Sequence, residues 1–234
     1  MSLKLVMLPG MDGTGDLFTP FLKTLPNTFE PEIIPLPASA SMSYREHADY
    51  VRDQLPQGEP FLLLAESFST PIACYIADDP PPNLLGLVLV SGYWHPPRPT
   101  LGRFLAELPI RFLLRLGSRK RIARHYLIGK DIGPRRLQQF QDVVKSLDPK
   151  VIEHRLKLAS SAQPFTPVIH LPCLQVIARD DKLMSSNRQT AFDSIFPRLM
   201  SFKLHGPHML LQAKPEFASR LLEAEVERMG LDLD

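Results

Sequence analysis

Short runs of mostly apolar residues recur along the chain, and many are bounded by Gly, Pro, Asn or Asp. Each run is typical of a strand that is buried on both faces. Stretches with apolar residues at helical spacing separate the runs, and this alternation predicts an α/β protein whose parallel sheet carries helices on both faces. The predicted strands are Leu3 to Leu8, Glu32 to Leu36, Phe61 to Leu64, Leu84 to Val90, Leu174 to Ala178 and Leu199 to Leu204.

Helix start and stop signals lie between these strands. Ser43 and Glu46 have the spacing of a capping box, and Pro56 ends the helix that they begin. Pro215 begins a last helix that is expected to reach Met229. The other predicted helices are one of about ten residues carrying Leu17, Phe18, Phe21, Leu22 and Leu25, one over Pro71 to Ala77, and one near Asn187 to Phe196.

The alternation stops after Tyr93 and resumes near Leu174. In between, the pattern predicts only helices: one with Leu101, Leu105 and Leu116 inward and broken at Pro109, one from Pro134 with Leu137, Phe140, Val144 and Leu147 inward, and one from Pro149 with Ile152, Leu156 and Ala159 inward. We therefore expect an α/β core over 1–93 and 165–234, with a helical lid inserted at 94–164.

The most informative stretch is the one that follows the third predicted strand. Strand Phe61 to Leu64 leads into Ala65-Glu66-Ser67-Phe68-Ser69 and then directly into a helix. Ser67 would occupy a sharp strand-to-helix corner, which requires small residues on either side, here Ala65 and Ser69. The helix N-terminus would then point at the serine. A serine in this position can also be a plain helix N-cap, so other residues must decide between the two interpretations.

This stretch resembles the nucleophile elbow of the α/β-hydrolase superfamily, with Ala65 and Ser69 in place of the two usual glycines. The resemblance implies an α/β-hydrolase fold with a mostly parallel sheet. The chain begins at what corresponds to the third strand of the family, so about six strands are expected. It also implies a catalytic triad in the chain order Ser, Asp or Glu, then His.

The acid of such a triad is expected after the strand that follows the lid. There the chain has Ala178-Arg179-Asp180-Asp181-Lys182-Leu183-Met184, which is similar to the family pattern and aligns Asp181 with the acid. Asp180 is the rival. Two successive Asp residues after a strand are also common in a solvated turn or as a helix cap.

The base is expected after the last strand, where His205-Gly206-Pro207-His208 precedes Pro215 and the final helix. This segment resembles that of the family with His208 as the base. His205 is the rival, which we expect to contribute packing or orientation. A lone loop histidine is usually inert and exposed, but its position as third element of an ordered triad favours a catalytic role.

Two backbone N–H groups would form the oxyanion hole: that of Phe68, directly after the nucleophile, and that of Met11, in the glycine-rich loop after the first strand. A glycine-rich loop can instead bind phosphate, but this one lacks the Lys-Ser/Thr of a P-loop and the GxGxxG of a dinucleotide site. Asp12 is expected to form an Asx-turn that shapes the loop.

Composition and charge bound the remaining possibilities. The chain of 234 residues has 44% apolar and 22% charged residues, as in one globular domain with an insertion. No apolar run approaches the roughly 20 residues of a membrane span, and the N-terminus does not resemble a signal peptide, so a cytoplasmic protein is expected. Cys74 and Cys173 are expected to be buried free thiols, and no cofactor or metal site is indicated.

The net charge of +2 is unevenly distributed. Residues 98–157 hold fifteen Lys or Arg against five Asp or Glu, and the rest of the chain holds twelve against twenty. The basic positions Arg111, Arg115, Arg119, Lys120, Arg121 and Arg124 fit a solvated helix face, a membrane-facing surface, or a docking face for an acidic partner. Related hydrolases that act on acyl groups carried by an acidic carrier protein use basic lids in this way. No nucleic-acid-binding motif is found.

The combined interpretation is a serine hydrolase that cleaves a small-molecule carboxylic ester or thioester through an acyl-enzyme. Trp94, Phe104, Leu108 and Phe112 are candidates for the acyl pocket, although the same apolar stripe is needed to dock the lid. An acyltransferase that uses the same triad remains open, as does a non-catalytic binding protein that retains the fold.

Overall fold

The structure is a computed structural model, and it describes residues 2–95, 120–130, 132–161, 166–184 and 190–229. Six parallel strands form one sheet in the order β2-β1-β3-β4-β5-β6. The strands are β1 (Leu3–Leu8), β2 (Phe29–Ile33), β3 (Phe61–Glu66), β4 (Leu84–Val90), β5 (Cys173–Ala178) and β6 (Leu199–Leu204). The described helices are α1 (Thr19–Leu22), α2 (Tyr44–Arg52), α3 (Thr70–Asp78), α4 (Lys120–Tyr126), α5 (Pro134–Ser146), α6 (Pro149–Ala159), α7 (Leu210–Ala213) and α8 (Pro215–Arg228).

Strand β3 lies inside the sheet, and all six of its residues are buried. Its side chains alternate between two apolar clusters, with Leu63 in one cluster and Leu62 and Leu64 in the other. Burial on both faces explains why β3 is apolar without a polar alternation. The prediction of a parallel sheet of about six strands, covered on both faces, is confirmed.

The registers bring the carboxyl ends of neighbouring strands level. Leu8 at the end of β1 pairs with Ala65 of β3, and Glu66 at the end of β3 pairs with Val90 at the end of β4. The segments that follow β1, β3 and β4 therefore leave the sheet at the same edge. Ligand sites of open α/β sheets form at this edge.

The second strand lies three residues before its predicted position. The apolar residues Ile34 and Leu36 suggested a strand over Glu32 to Leu36, but both follow β2 as buried residues of the next loop. Among the described strands, β2 pairs only with β1, and as an edge strand it tolerates Pro31 and outward-facing charges. Glu30 and Glu32 are among the partners of Lys4 on the neighbouring strand.

Two helices also differ from the predicted pattern. The first is only a 3-10 turn, Asp16–Phe18, followed by one turn of α1, because Pro26 disfavours a helical conformation at Leu25 and the hydroxyl of Thr24 bonds the Phe21 carbonyl. Of the helix predicted near 187–196, the described part is a 3-10 turn, Thr190–Ser194. The short helix α7 was not predicted.

Three described helices, α4 to α6, lie between β4 and β5 in the chain. Residues of α4 and α5 and of the loop between them form a separate apolar cluster with Leu17, and Met209 packs against it. The helix predicted around Leu101, Leu105 and Leu116 lies outside the described residues. Prediction of inward positions was correct for Leu137 and Phe140 on α5 and for Ile152 on α6.

Both cysteines, Cys74 and Cys173, are buried free thiols, as expected. None of the described helices is long and apolar enough to cross a membrane.

The capping box of α2 gives the first testable prediction. Glu46 N donates to Ser43 Oγ, and Ser43 N donates to Glu46 Oε2 at 2.7 Å. Ser43→Ala removes the acceptor for an orphan helix N–H, so it should lower the free energy of unfolding by about 1 kcal/mol. Urea denaturation measures this loss. The control Ser43→Thr keeps the cap and should lose much less; an equal loss in both variants would contradict the role of the cap.

Candidate active site

The chain turns sharply where β3 ends. Ser67 has a φ of 51°, in the left-handed region that non-glycine residues rarely adopt, and α3 begins three residues later. The Ser69 hydroxyl donates to the Pro9 carbonyl, and the Thr70 hydroxyl lies 2.8 Å from the Ser67 carbonyl oxygen. The first bond ties the turn after Ser67 to the loop after β1, and the second holds the Ser67 carbonyl itself. A strained serine between a strand and a helix is the geometry of a nucleophile elbow.

Three side chains predicted from distant parts of the chain meet at this corner. Ser67 Oγ lies 2.8 Å from His208 Nε2, and His208 Nδ1 lies 2.7 Å from Asp181 Oδ2. Both distances are within hydrogen-bonding range. Since the hydroxyl needs an acceptor to lose its proton, this arrangement lets His208 act as base and Asp181 orient it.

The Asp181 carboxylate is fully buried and held in place by its second oxygen. Asp181 Oδ1 accepts from the backbone N–H groups of Leu183 and Met184 at 2.8 and 2.9 Å. Oδ2 is therefore left to face the imidazole. The side chains of the two rivals, Asp180 and His205, are 59% and 74% exposed and lie 3.5 Å from each other.

His208 is buried, and its backbone is anchored from two directions. The Ser91 hydroxyl donates to the His208 carbonyl at 2.6 Å, and Met209 N donates to the Leu127 carbonyl at 2.9 Å. Burial by itself lowers the pKa of His208, but the charge and hydrogen bond of Asp181, with a contribution from Glu66, raise it above its ordinary value.

The loop after β1 approaches Ser67 closely. A side chain on Gly10 would begin 3.8 Å from Ser67 Cβ. The Gly10 carbonyl accepts from Gly13 N at 3.1 Å, so the Met11 N–H, on the other side of the same trans peptide, points out of this turn. Asp12 Oδ2 accepts from Thr14 N and from the Thr14 hydroxyl, which confirms the predicted Asx-turn. Met11 lies in the loop after β1, and Phe68 lies in the turn after β3. The two strands are neighbours in the sheet and end at the same height.

A second carboxyl group is buried directly before the nucleophile. Glu66 is 5% exposed, and its Oε2 accepts from Gln212 Nε2 at 3.1 Å. Its Oε1 has no hydrogen-bond partner among the described residues. Burial raises the pKa of Glu66 to about 7, with a further small increase from Asp12, while Gln212 and His208 act in the opposite direction.

Of the four candidate pocket residues, the structure describes only Trp94. Trp94 is fully buried in the core, with its ring 5.9 Å from that of Tyr75, so in this conformation it presents no surface to a ligand. Phe104, Leu108 and Phe112 lie outside the described residues. A shallow cleft lies next to the residue that follows His208, and its lining includes Leu17, Ile128, Phe140, Met209 and Gln212.

Sequence reasoning missed several residues that support the site. Ser91 follows β4 with a φ of 47°, and its position at a carboxyl strand end beside the elbow could have indicated a role. The Glu66–Gln212 pair spans 146 positions and leaves no local signal. Among the described residues, no group of three or more His, Cys, Asp or Glu is arranged to hold a metal ion.

Comparison with protein-family models finds none that matches this chain, and comparison with curated protein sequences finds no match either. Solved structures do match. The structure of MenH from S. aureus has a TM-score of 0.79 at 13% identity over 97% of this chain and 94% of that one. The hydrolase olei00960 from Oleispira antarctica has a TM-score of 0.78 at 13% identity over 97% and 92%. Est816, described as an N-acyl homoserine lactone degrading enzyme, has a TM-score of 0.75 at 18% identity over 96% and 93%. The chain therefore has the α/β-hydrolase fold, as the sequence predicted.

The buried carboxyl group of Glu66 predicts an unusual dependence of stability on pH. Its pKa is about 7 in the folded protein against an ordinary value of 4.5, so the folded state holds the proton more tightly than the unfolded chain. Folding therefore becomes less favourable as pH rises from about 4.5 to 7. Glu66→Gln keeps an oxygen to accept from Gln212 and removes this loss. Relative to the parent, the variant should gain up to about 3 kcal/mol of unfolding free energy between pH 5 and 8.

Urea denaturation at both pH values measures this gain. The matched control is Glu225→Gln, at another buried glutamate whose carboxylate accepts from Arg228 at 3.0 Å. A gain that occurs in Glu66→Gln and not in Glu225→Gln assigns the effect to Glu66. Parallel stability curves for the parent and Glu66→Gln would show that the Glu66 pKa is not raised.

Proposed function

We propose that this protein is a serine hydrolase that cleaves carboxylic ester or thioester bonds through an acyl-enzyme on Ser67. The observation that carries the proposal is the continuous hydrogen-bonded path from Ser67 Oγ through His208 to the buried Asp181 carboxylate. The strained backbone of Ser67 supports it, since a plain helix N-cap needs no left-handed residue. Esterases and hydrolases among proteins of the same fold support ester cleavage in general.

In the proposed first step, Ser67 Oγ forms a bond to the acyl carbonyl carbon while its proton passes to His208 Nε2. The carbonyl π electrons move to oxygen and give a tetrahedral oxyanion. His208 then protonates the departing alcohol or thiol as the bond to it breaks. Asp181 stabilises the imidazolium through its hydrogen bond with Nδ1.

The N–H groups of Met11 and Phe68 are the proposed donors to the oxyanion. They follow the level ends of β1 and β3, and Phe68 lies in the first turn after β3, Ser67–Ser69, where backbone N–H groups are not consumed by preceding carbonyls. Loss of one such donor commonly raises the barrier by about 3 kcal/mol. Proline would delete either N–H group but would also fix φ and disturb the backbone, so the triad offers the more direct test.

In the second half of the cycle, His208 takes a proton from water as the water oxygen attacks the acyl carbon. The bond from that carbon to Ser67 Oγ then breaks, His208 returns the proton to Oγ, and the acid leaves. An alcohol in place of water would give the acyltransferase that uses the same residues. The described geometry favours neither water nor an alcohol as the attacking group. Product analysis with and without an added alcohol distinguishes hydrolysis from acyl transfer.

The helices between β4 and β5 are proposed to form a lid over 94–164. The described helices α4 and α5 pack over Leu17, which follows the glycine-rich loop, and against Met209, which follows His208. The acyl pocket is proposed to lie between this segment and the carboxyl edge of the sheet. The exposed Lys120 and Arg121 belong to the proposed basic outer face of this lid.

Ser67 is the proposed nucleophile, so its removal should abolish turnover. On a panel of short p-nitrophenyl esters and acyl thioesters, Ser67→Ala should lower kcat by a factor on the order of 10⁴ to 10⁶, since no nucleophile remains. A fluorophosphonate should label the parent once, at Ser67, and should leave the variant unlabelled. Ser41→Ala, at an exposed serine, is the control and should behave as the parent. Turnover that survives Ser67→Ala would rule out the proposed mechanism.

The basic face gives a second functional prediction. If an acidic acyl-carrier protein docks there, charge reversal at Lys120 and Arg121 should raise KM for a carrier-bound acyl thioester about tenfold. Turnover of a short free ester should stay within about twofold, because no catalytic group changes. Reversal of two exposed lysines elsewhere in the segment, Lys145 and Lys150, provides a control with the same change in net charge. Equal effects of both pairs would rule out a specific docking face.

A further inference from the structure

We propose that Arg155, on helix α6, is a positioning residue that holds both proposed oxyanion donors, because its guanidinium bonds the Met11 carbonyl and stacks on Phe68. The proposal rests on the proposed function, in which Met11 and Phe68 supply the N–H groups. It assigns the inserted helices a role in forming the site, in addition to covering it.

Arg155 lies on the buried face of its helix, where an arginine is unusual. Helix α6 begins at Pro149 after an Asp148 cap, and its buried face consists of Val151, Ile152, Arg155 and Ala159. Leu156, which the apolar pattern placed inward, is only half buried. Arg155 itself is 1% exposed. A buried cation is costly unless its N–H groups are bonded, so this position requires an explanation.

The guanidinium bonds backbone carbonyls instead of a carboxylate. Arg155 Nη1 donates to the Met11 carbonyl at 2.8 Å, and Nη2 donates to the Pro37 carbonyl at 3.1 Å. No ion pair of Arg155 occurs among the described residues. The planar fork thus connects the loop after β1 to the loop after β2, a geometry that suits arginine better than lysine.

The glycine-rich loop is shaped to receive this side chain. Gly13 has a φ of 74°, and a Cβ at this position would collide with Arg155 Nη1. The Gly13 carbonyl accepts from Leu36 N at 2.8 Å, so the loop is also held from the β2 side. The positive φ and the missing Cβ therefore both serve the close approach of the guanidinium to the residues next to Met11.

The same guanidinium contacts the second proposed donor residue. Arg155 Cζ lies 5.7 Å from the centroid of the Phe68 ring, within the range of a cation–π contact. Tyr44 packs on that ring with a centroid separation of 5.1 Å. One side chain therefore restrains the residue on each side of the proposed oxyanion position.

The positive charge of Arg155 makes a second contribution, in addition to these contacts. Burial lowers the pKa of Arg155, the nearby Asp12 carboxylate partly offsets this, and an arginine keeps its proton in any case. Because its bonded partners are neutral carbonyls, its positive charge is not cancelled by a direct ion pair. In a buried site such a charge stabilises negative charge that develops on the oxyanion.

The decisive experiment compares Arg155→Met, Arg155→Lys and the parent on a short p-nitrophenyl ester. Arg155→Met removes the charge and both bonds, and we expect kcat to fall about 100-fold with KM within about twofold. Arg155→Lys keeps the charge and one possible bond, and it should recover part of the loss, to about tenfold below the parent. The matched control is Arg45→Met, at an exposed arginine that also lies over an aromatic ring, that of Tyr75, and it should leave kcat unchanged.

A second measurement does not depend on turnover. Amide hydrogen exchange over residues 9–15 should be faster in Arg155→Met than in the parent, while exchange in β3 stays the same. If the parent cleaves no ester, the proposed function fails, and the exchange result still decides whether Arg155 orders the loop. Raised KM with unchanged kcat, unchanged exchange over 9–15, or equal kcat losses in both Arg155 variants would overturn the proposal.

Discussion

The left-handed backbone at Ser67 is the constraint on which the rest of the site depends. A residue in this conformation is strained, and the surrounding structure must hold it there. Buried β3 fixes the residue before it, the Ser69 hydroxyl bonds the Pro9 carbonyl, and Phe68 is fully buried after it. The hydroxyl that results is displayed at the carboxyl edge of the sheet, where the loops that follow β5 and β6 can reach it with a carboxylate and an imidazole.

Much of this architecture could be predicted because its signals are local. Strands β1 and β4 have the predicted bounds, since an apolar run closed by Pro or Asn leaves little freedom. Strand β2 was misplaced because an edge strand is polar on one side, so its neighbouring loop is the more apolar segment. Helix α1 was predicted too long because the apolar spacing continues to Leu25, whereas the helix ends at Leu22.

In the candidate site too, some residues could be predicted from local sequence and others could not. Ser67, Asp181 and His208 were identified because each follows a predicted strand in a fixed chain order, and the structure brings these three side chains together. Ser91 and Arg155 were missed because they bond backbone carbonyls, and a carbonyl acceptor is the same at every position of a sequence. Residues of this kind are recognisable only after the fold has placed their partners.

The hydrogen bond from Met209 to Leu127 has a consequence for how such chains can diversify. If a segment only covered a pocket, relatives could exchange it as an independent unit. The exchange would change substrate specificity and leave the catalytic chemistry unchanged. Here the residue next to His208 takes its backbone partner from the segment between β4 and β5, and Pro207 packs within 3.1 Å of where a Gly129 side chain would begin. A transplanted segment would have to reproduce these anchor points, so specificity and catalytic rate should change together when it is replaced.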